Sequence, residues 1–145
     1  MEKILMLHGL NHDQMGKGEG SVHGAVTMDD LDQLVEKTAA ALGVEVDSYQ
    51  NNEETEVIRR IETAEAEHYA GILFNPADWM DTGSGIAEAL AKLMIPVMEI
   101  HISNVDKRAD RTNVIAPSVT GLLTGFGVKV YSYGLRILVA EIRKE

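Results

Sequence analysis

Short apolar blocks recur along the chain, and between them the hydrophobic positions fall three and four apart. Lys3 to His8 (KILMLH), Val44 to Tyr49, Ile72-Leu73-Phe74, Pro96 to Ile102 and Thr120 to Thr124 have the length and composition of strands. Thr27 caps the first intervening helix, with Asp29 and Asp30 in the first turn, where negative charge suits the helix dipole. Leu31, Leu34, Val35 and Leu42 form its inward stripe and Gly43 ends it. Asn51 and Asn52 open a second helix with Val57, Ile58 and Ile61 inside. Ile86 to Met94 forms a third, and Val128 to Arg143, after Gly125-Phe126-Gly127, closes the chain as a fourth. Met94 and Met98 read as core packing. Trp79, in the loop NPADWMDTG, either stacks on a ligand or pins the loop, and pinning is the default reading.

Strands that alternate with helices imply right-handed crossovers and a parallel sheet covered on both faces. The pattern predicts an α/β fold: a flavodoxin-like, doubly wound, five-stranded parallel sheet of order 2-1-3-4-5, with helices on both faces. At 145 residues it fits one domain spanning 1–145, with no internal repeat and no linker.

Residues 9–26 interrupt this regularity. They carry five glycines and no hydrophobic period, and a connection this long in a compact domain is usually a functional loop. A lid over roughly Gly16 to Gly24, mobile without ligand, is expected there. The stretch GLNHDQMGKGEG lacks the glycine–lysine–hydroxyl spacing of a phosphate loop.

Hydrophobic residues make up 45% and charged residues 25%, as in ordinary globular chains. A formal charge of −10 without any basic cluster argues against nucleic acid or an anionic membrane as a partner. The absence of cysteine excludes disulfides and thiolate metal sites. The first strand begins within three residues and no long apolar run precedes it, so neither signal peptide nor membrane span is expected, and the cytoplasm is the expected location.

The chemistry concentrates in VMEIHISN, residues 97–104. On a strand, Glu99, His101 and Ser103 share one face while Ile100 and Ile102 share the other. In a doubly wound sheet, ligands bind beyond the carboxyl ends of the strands, at the switch point between strands 1 and 3. Asn11 follows strand 1, Asn75 ends strand 3, and His101 with Ser103 ends strand 4. Glu99 and His101 could be a structural pair. Together they also suit acid chemistry, because a carboxylate behind an imidazole favours the protonated ring and fixes its orientation. His8, His12, Asp13 and His23 lack helical ligand spacing, and no metal site is assigned to them.

ILMLHGLN, ILFNPADWMDTG, IPVMEIHISN and GLLTGFG occur in this order across nearly the whole chain. They resemble the corresponding segments of type II 3-dehydroquinate dehydratases. The resemblance implies the flavodoxin-like fold, trimers assembled into a dodecamer, no cofactor, and loss of water from 3-dehydroquinate by anti elimination through an enolate. It implies that His101 is the general acid, Glu99 the carboxylate that orients it, and Asn11 a stabiliser of the enolate. Asn75, Ile102 and Ser103 match the cradle of the substrate carboxylate, and Arg111 matches a substrate-binding arginine.

Four positions depart from the family pattern. The family lid carries an arginine and then a tyrosine base in a GKREPxxYG-like run, where this chain reads GKGEGSVHG. Gly18 stands at the arginine position and His23 at the tyrosine position. Tyrosine, with a pKa of about 10, needs a nearby cation to act as a base near neutrality, whereas histidine at about 6.5 does not. The two changes are therefore self-consistent as an exchange of base chemistry, and also as decay of an unused site. Lys17 is the one lysine or arginine of that stretch. Asp81 replaces a family histidine; it makes the mouth more acidic or accepts hydrogen bonds from substrate hydroxyls. Glu88 stands for an aspartate contributed across a subunit contact.

Two readings stay open. One is a lyase acting on 3-dehydroquinate or a related hydroxy-carbonyl compound, one bearing a carboxylate, with His23 as base. The other is a non-catalytic oligomer that binds a small molecule or serves as a scaffold.

Overall fold

The computed structural model describes residues 1–12, 27–108, 110 and 112–145. The ordered elements are β1 (Lys3–Leu10), α1 (Met28–Leu42), β2 (Glu45–Gln50), α2 (Glu54–Glu62) and β3 (Gly71–Ala77), then α3 (Trp79–Thr82), α4 (Ser84–Ala91), β4 (Val97–His101), β5 (Gly121–Thr124) and α5 (Lys129–Arg143). The five strands are parallel and lie in the order 2-1-3-4-5. Among the described residues no helix is long and apolar enough to cross a membrane.

Alternation along each inner strand divides the core into two apolar layers. Ile4, Met6, Leu73, Met98 and Ile100 meet α1 and α5 through Leu31, Val35, Tyr131 and Leu135. Leu5, Leu7, Ile72, Phe74 and Val97 meet α2 and α4 through Val57, Ile61, Ile86 and Leu90. Burying both faces requires near-continuous apolar runs in β1, β3 and β4, whereas edge strand β2 (EVDSYQ) contributes chiefly Val46.

Local signals set the helix ends. Thr27 and Asp30 form a reciprocal capping box: Asp30 N donates to Thr27 Oγ1 at 3.2 Å and Thr27 N donates to Asp30 Oδ2 at 3.0 Å. Gly43 closes α1 in the left-handed region at φ 72°. Asn51 Oδ1 accepts from Glu53 N at 2.8 Å, so the second helix starts at Glu54, after the asparagines rather than on them.

The strands outrun their apolar blocks. The ladder continues through His8↔Asn75 to Leu10↔Ala77, which places Asn75 and Pro76 inside β3. Conversely, β4 ends at His101, so Ser103 lies past the strand rather than on its polar face. Trp79, 4% exposed, opens α3 and packs in the α2/α4 layer, as pinning requires. Met98 is buried, but Met94 is 89% exposed, because α4 stops at Ala91 and the turn that follows packs Leu93 and Ile95 on the core with Met94 outside.

Gly9 permits a close approach of β1 and β3. A Cβ there would lie 2.0 Å from the Pro76 carbonyl oxygen and 2.2 Å from its carbon. Gly43 lies in the left-handed region, where a side chain would strain the backbone, yet a Cβ there would meet nothing within 4 Å. Gly9→Ala is therefore expected to lower the unfolding free energy by about 2–3 kcal/mol through overpacking against backbone. Gly43→Ala is expected to cost about 1 kcal/mol through φ strain alone. Urea unfolding of both variants checks the ranking, and the reverse order would contradict the steric account.

Candidate active site

β4 carries Glu99 and His101 on the face toward α4, and both are buried, Glu99 completely. Glu99 Oε2 lies 2.5 Å from His101 Nε2 and also accepts from Asn113 Nδ2 at 2.7 Å. Asn113 cannot flip, because its Oδ1 accepts from Ile115 N and Ala116 N at 2.9 and 3.0 Å. Its amide hydrogens are thereby directed at the carboxylate. Glu99 Oε1 finds no partner among the described residues. An uncompensated buried carboxylate is costly, so the imidazole and the asparagine together make this one tenable. With Nε2 committed to Glu99, Nδ1 is the ring nitrogen of His101 that lies outside this pair.

The segment after β4 adds a cation. Arg108 Nη2 donates to Ser103 Oγ at 3.1 Å, and Thr124 Oγ1 donates to the Ser103 carbonyl oxygen at 3.0 Å. Ile102 is buried in the α1/α5 layer, with its carbonyl accepting from Gly127 N at 3.0 Å. Asp81 is exposed at the end of α3, where its Oδ1 accepts from Thr112 N at 3.2 Å, so it ties down the segment leading back from the site. Glu88 is exposed on α4. His23 and Arg111 lie outside the described residues.

Asn11 sits directly beyond β1 at φ 63°, a conformation asparagine tolerates better than most residues. Its N–H donates to Asn52 Oδ1 at 2.8 Å. Asn75 is buried on the opposite face of the sheet from His101. Its Oδ1 accepts from Ala77 N at 3.1 Å and its Nδ2 donates to Tyr131 Oη at 3.0 Å. Tyr131 Oη lies 3.2 Å from His8 Nδ1, and His8 Nε2 lies 2.8 Å from Ser48 Oγ. His12 stacks on His8, with ring centroids 4.1 Å apart and planes 10° off parallel. All these groups gather at the carboxyl ends of the strands, but on two faces: the Glu99–His101 pair toward α4, and the Asn75–Tyr131–His8 set toward α5.

The sequence reading passed over Arg108, Asn113 and Tyr131. Arg108 had a positional signal, being a cation five residues past Ser103 in a loop at the binding edge. Asn113 and Tyr131 had none. One looks like any loop asparagine, and the other sits in the inward stripe of α5 beside Val130, Gly134 and Leu135, where aromatic packing is the ordinary explanation.

A doubly wound parallel sheet with a buried carboxylate–imidazole pair at its carboxyl edge defines an α/β protein equipped for acid–base chemistry on a small molecule. The profile of the family described as dehydroquinase class II matches residues 2–139. The 3-dehydroquinate dehydratase of Geotalea daltonii is 38% identical over 144 residues, covering 98% of this chain and 99% of that protein. That of Syntrophotalea carbinolica is 38% identical over 137 residues, covering 93% of each. The type II dehydroquinase structure from Butyrivibrio crossotus superposes with a TM-score of 0.90 at 30% identity, over 95% of this chain and 97% of that one. The one from Propionibacterium acnes gives 0.89 at 32% identity, over 97% of both. The chain belongs to the class II dehydroquinase family.

Burial, and secondarily the neighbouring His12, pull the pKa of His8 down to about 3 from an ordinary 6.5. The unfolded chain therefore takes up a proton below pH 6.5 that native His8 refuses until about pH 3. Stability is intact above the unfolded value and is lost as pH falls through that window, by about 1.4 kcal/mol per pH unit at full slope. Between pH 6.5 and 4, urea unfolding of the wild type should lose about 3 kcal/mol more than that of His8→Asn. Parallel curves for the two proteins would show that His8 is not the titrating group.

Proposed function

We propose that this protein is a hydro-lyase that removes water from 3-dehydroquinate by anti elimination through an enolate. The reaction needs a base for a proton next to the ketone, a donor at the developing enolate oxygen, and an acid for the departing hydroxyl. His101 is the acid: Glu99 holds it through Nε2 and stabilises the imidazolium, and the Nδ1 proton goes to the leaving oxygen. Asn11 stabilises the enolate. Asn75, Ile102 and Ser103 hold the substrate carboxylate, with Arg108 and Arg111 as the cations of that cradle. His23 takes the place of the family tyrosine as base, and because imidazole is basic near neutrality it needs no arginine at Gly18. Asp81 accepts from Thr112 and shapes the rim of the mouth. No cofactor takes part. The chains assemble as trimers, or as a dodecamer of them, with Glu88 at the subunit contact.

The observation that carries this reading is the completely buried Glu99 carboxylate bonded to His101 at the carboxyl end of β4, in a chain matched by the family over nearly its whole length. Elimination beside the ketone yields a conjugated enone, so ultraviolet absorbance follows turnover directly. His101→Ala and His23→Ala should each lower turnover by on the order of 10²–10⁴-fold, the usual worth of a positioned acid or base. An unchanged rate in His23→Ala would remove His23 from the chemistry. No enone from the wild type would leave a binding protein instead of an enzyme.

A further inference from the structure

Asn75, Tyr131, His8 and Ser48 come from four different elements, β3, α5, β1 and β2, and form one unbroken row of hydrogen bonds. The direction of every bond in it can be worked out. Ala77 N can only donate, so the atom of Asn75 it touches is Oδ1, and Nδ2 is the end that faces Tyr131. Ala77 itself adopts φ 51°, unusual for alanine. Tyr131 is fully buried and accepts from Asn75, and the acceptor within reach of its own proton is His8 Nδ1. His8 is therefore the neutral Nε2–H tautomer and donates to Ser48 Oγ. Each bond of the row joins one donor to one acceptor, and reversing the amide of Asn75 would set two donors against each other at Ala77 N.

One amide hydrogen of Asn75 is used on Tyr131, and no described group accepts the other. We infer that Tyr131, backed by His8 and Ser48, is a positioning residue that locks Asn75 with its N–H side toward the substrate, so that it offers a donor and never its carbonyl to the carboxylate. This rests on the role proposed for Asn75 above. A flipped amide would turn a lone pair toward the anion, which makes the orientation of Asn75 a determinant of affinity for acidic substrates. Asp32 and His12 are the ionisable groups that bear on Tyr131 and His8 from α1 and from the end of β1. The stack of His12 over His8 keeps the row covered.

The test joins kinetics to nitrogen spectroscopy. In Tyr131→Phe the KM for 3-dehydroquinate should rise about 5–20-fold while kcat stays within about threefold, because the lost contact serves binding of the carboxylate and not the chemical step. General loss of structure would depress both constants and the melting temperature together. In wild-type protein labelled at histidine, ¹⁵N spectra should show His8 with a bare Nδ1 and a protonated Nε2, and the Nδ1 resonance should shift in Tyr131→Phe. A protonated Nδ1 in the wild type overturns the row whether or not the variant folds. An unchanged KM in an active Tyr131→Phe overturns the positioning role and leaves the lyase reading standing. Wild type that neither converts nor binds 3-dehydroquinate removes the lyase reading and this inference with it, and the spectra then report only on the histidine.

Discussion

Glu99 has no exposed surface, and it sits on a strand whose two faces are covered by helices. In such a place a carboxylate can persist only if donors are brought to it, because water cannot reach it and several kcal/mol of desolvation would otherwise go unanswered. His101, two residues on and on the same face, is one donor. Asn113, held rigid by two backbone N–H groups at the start of a 3-10 turn, is the other. The long return from β4 to β5 is thus fixed in place by the charge it serves. The carboxylate in turn holds the imidazole at one nitrogen and so fixes its orientation.

The same economy governs the opposite face. Polar groups meet there too, but as neutral ones, paired by direction rather than by charge. The row from Asn75 to Ser48 needs a tyrosine that stays protonated, which burial ensures by pushing its phenol up, and a histidine that stays neutral. Both are consequences of a dry interior. One sheet edge therefore presents a carboxylate–imidazole pair on one side and a neutral, directional row on the other. The strands between them are drawn together by Gly9, where any side chain would strike the Pro76 carbonyl.

Strain appears where these two systems meet the binding edge. Asn11 and Ala77 both adopt positive φ at the ends of β1 and β3, the two strands that flank the switch point. Conformations of this kind cost of order 1–3 kcal/mol each and persist only where surrounding contacts enforce them. Beside each, a backbone N–H is held by an asparagine: Ala77 N donates to Asn75 Oδ1 and Asn11 N to Asn52 Oδ1.

The periodicity of apolar residues was sufficient for the five strands and most of the inward faces of α1 and α2, because burial of both sheet faces imposes patterns that depend only on neighbours along the chain. The Glu99–His101 pair was legible for the same reason: residues two apart on a strand must share a face. What sequence could not supply was any relation between distant positions. That Asn113 stands against Glu99, that Arg108 reaches back to Ser103, and that Tyr131 of α5 stands between His8 and Asn75 follow from how helices and returning loops dock on the sheet. Met94 erred in the opposite direction, since a methionine at helical spacing is apolar whether or not its helix has already ended. Local pattern determined which faces are buried. Tertiary docking alone decided which polar groups meet inside, because a hydrogen bond depends on distances of tenths of an ångström between atoms whose residues lie up to 123 positions apart.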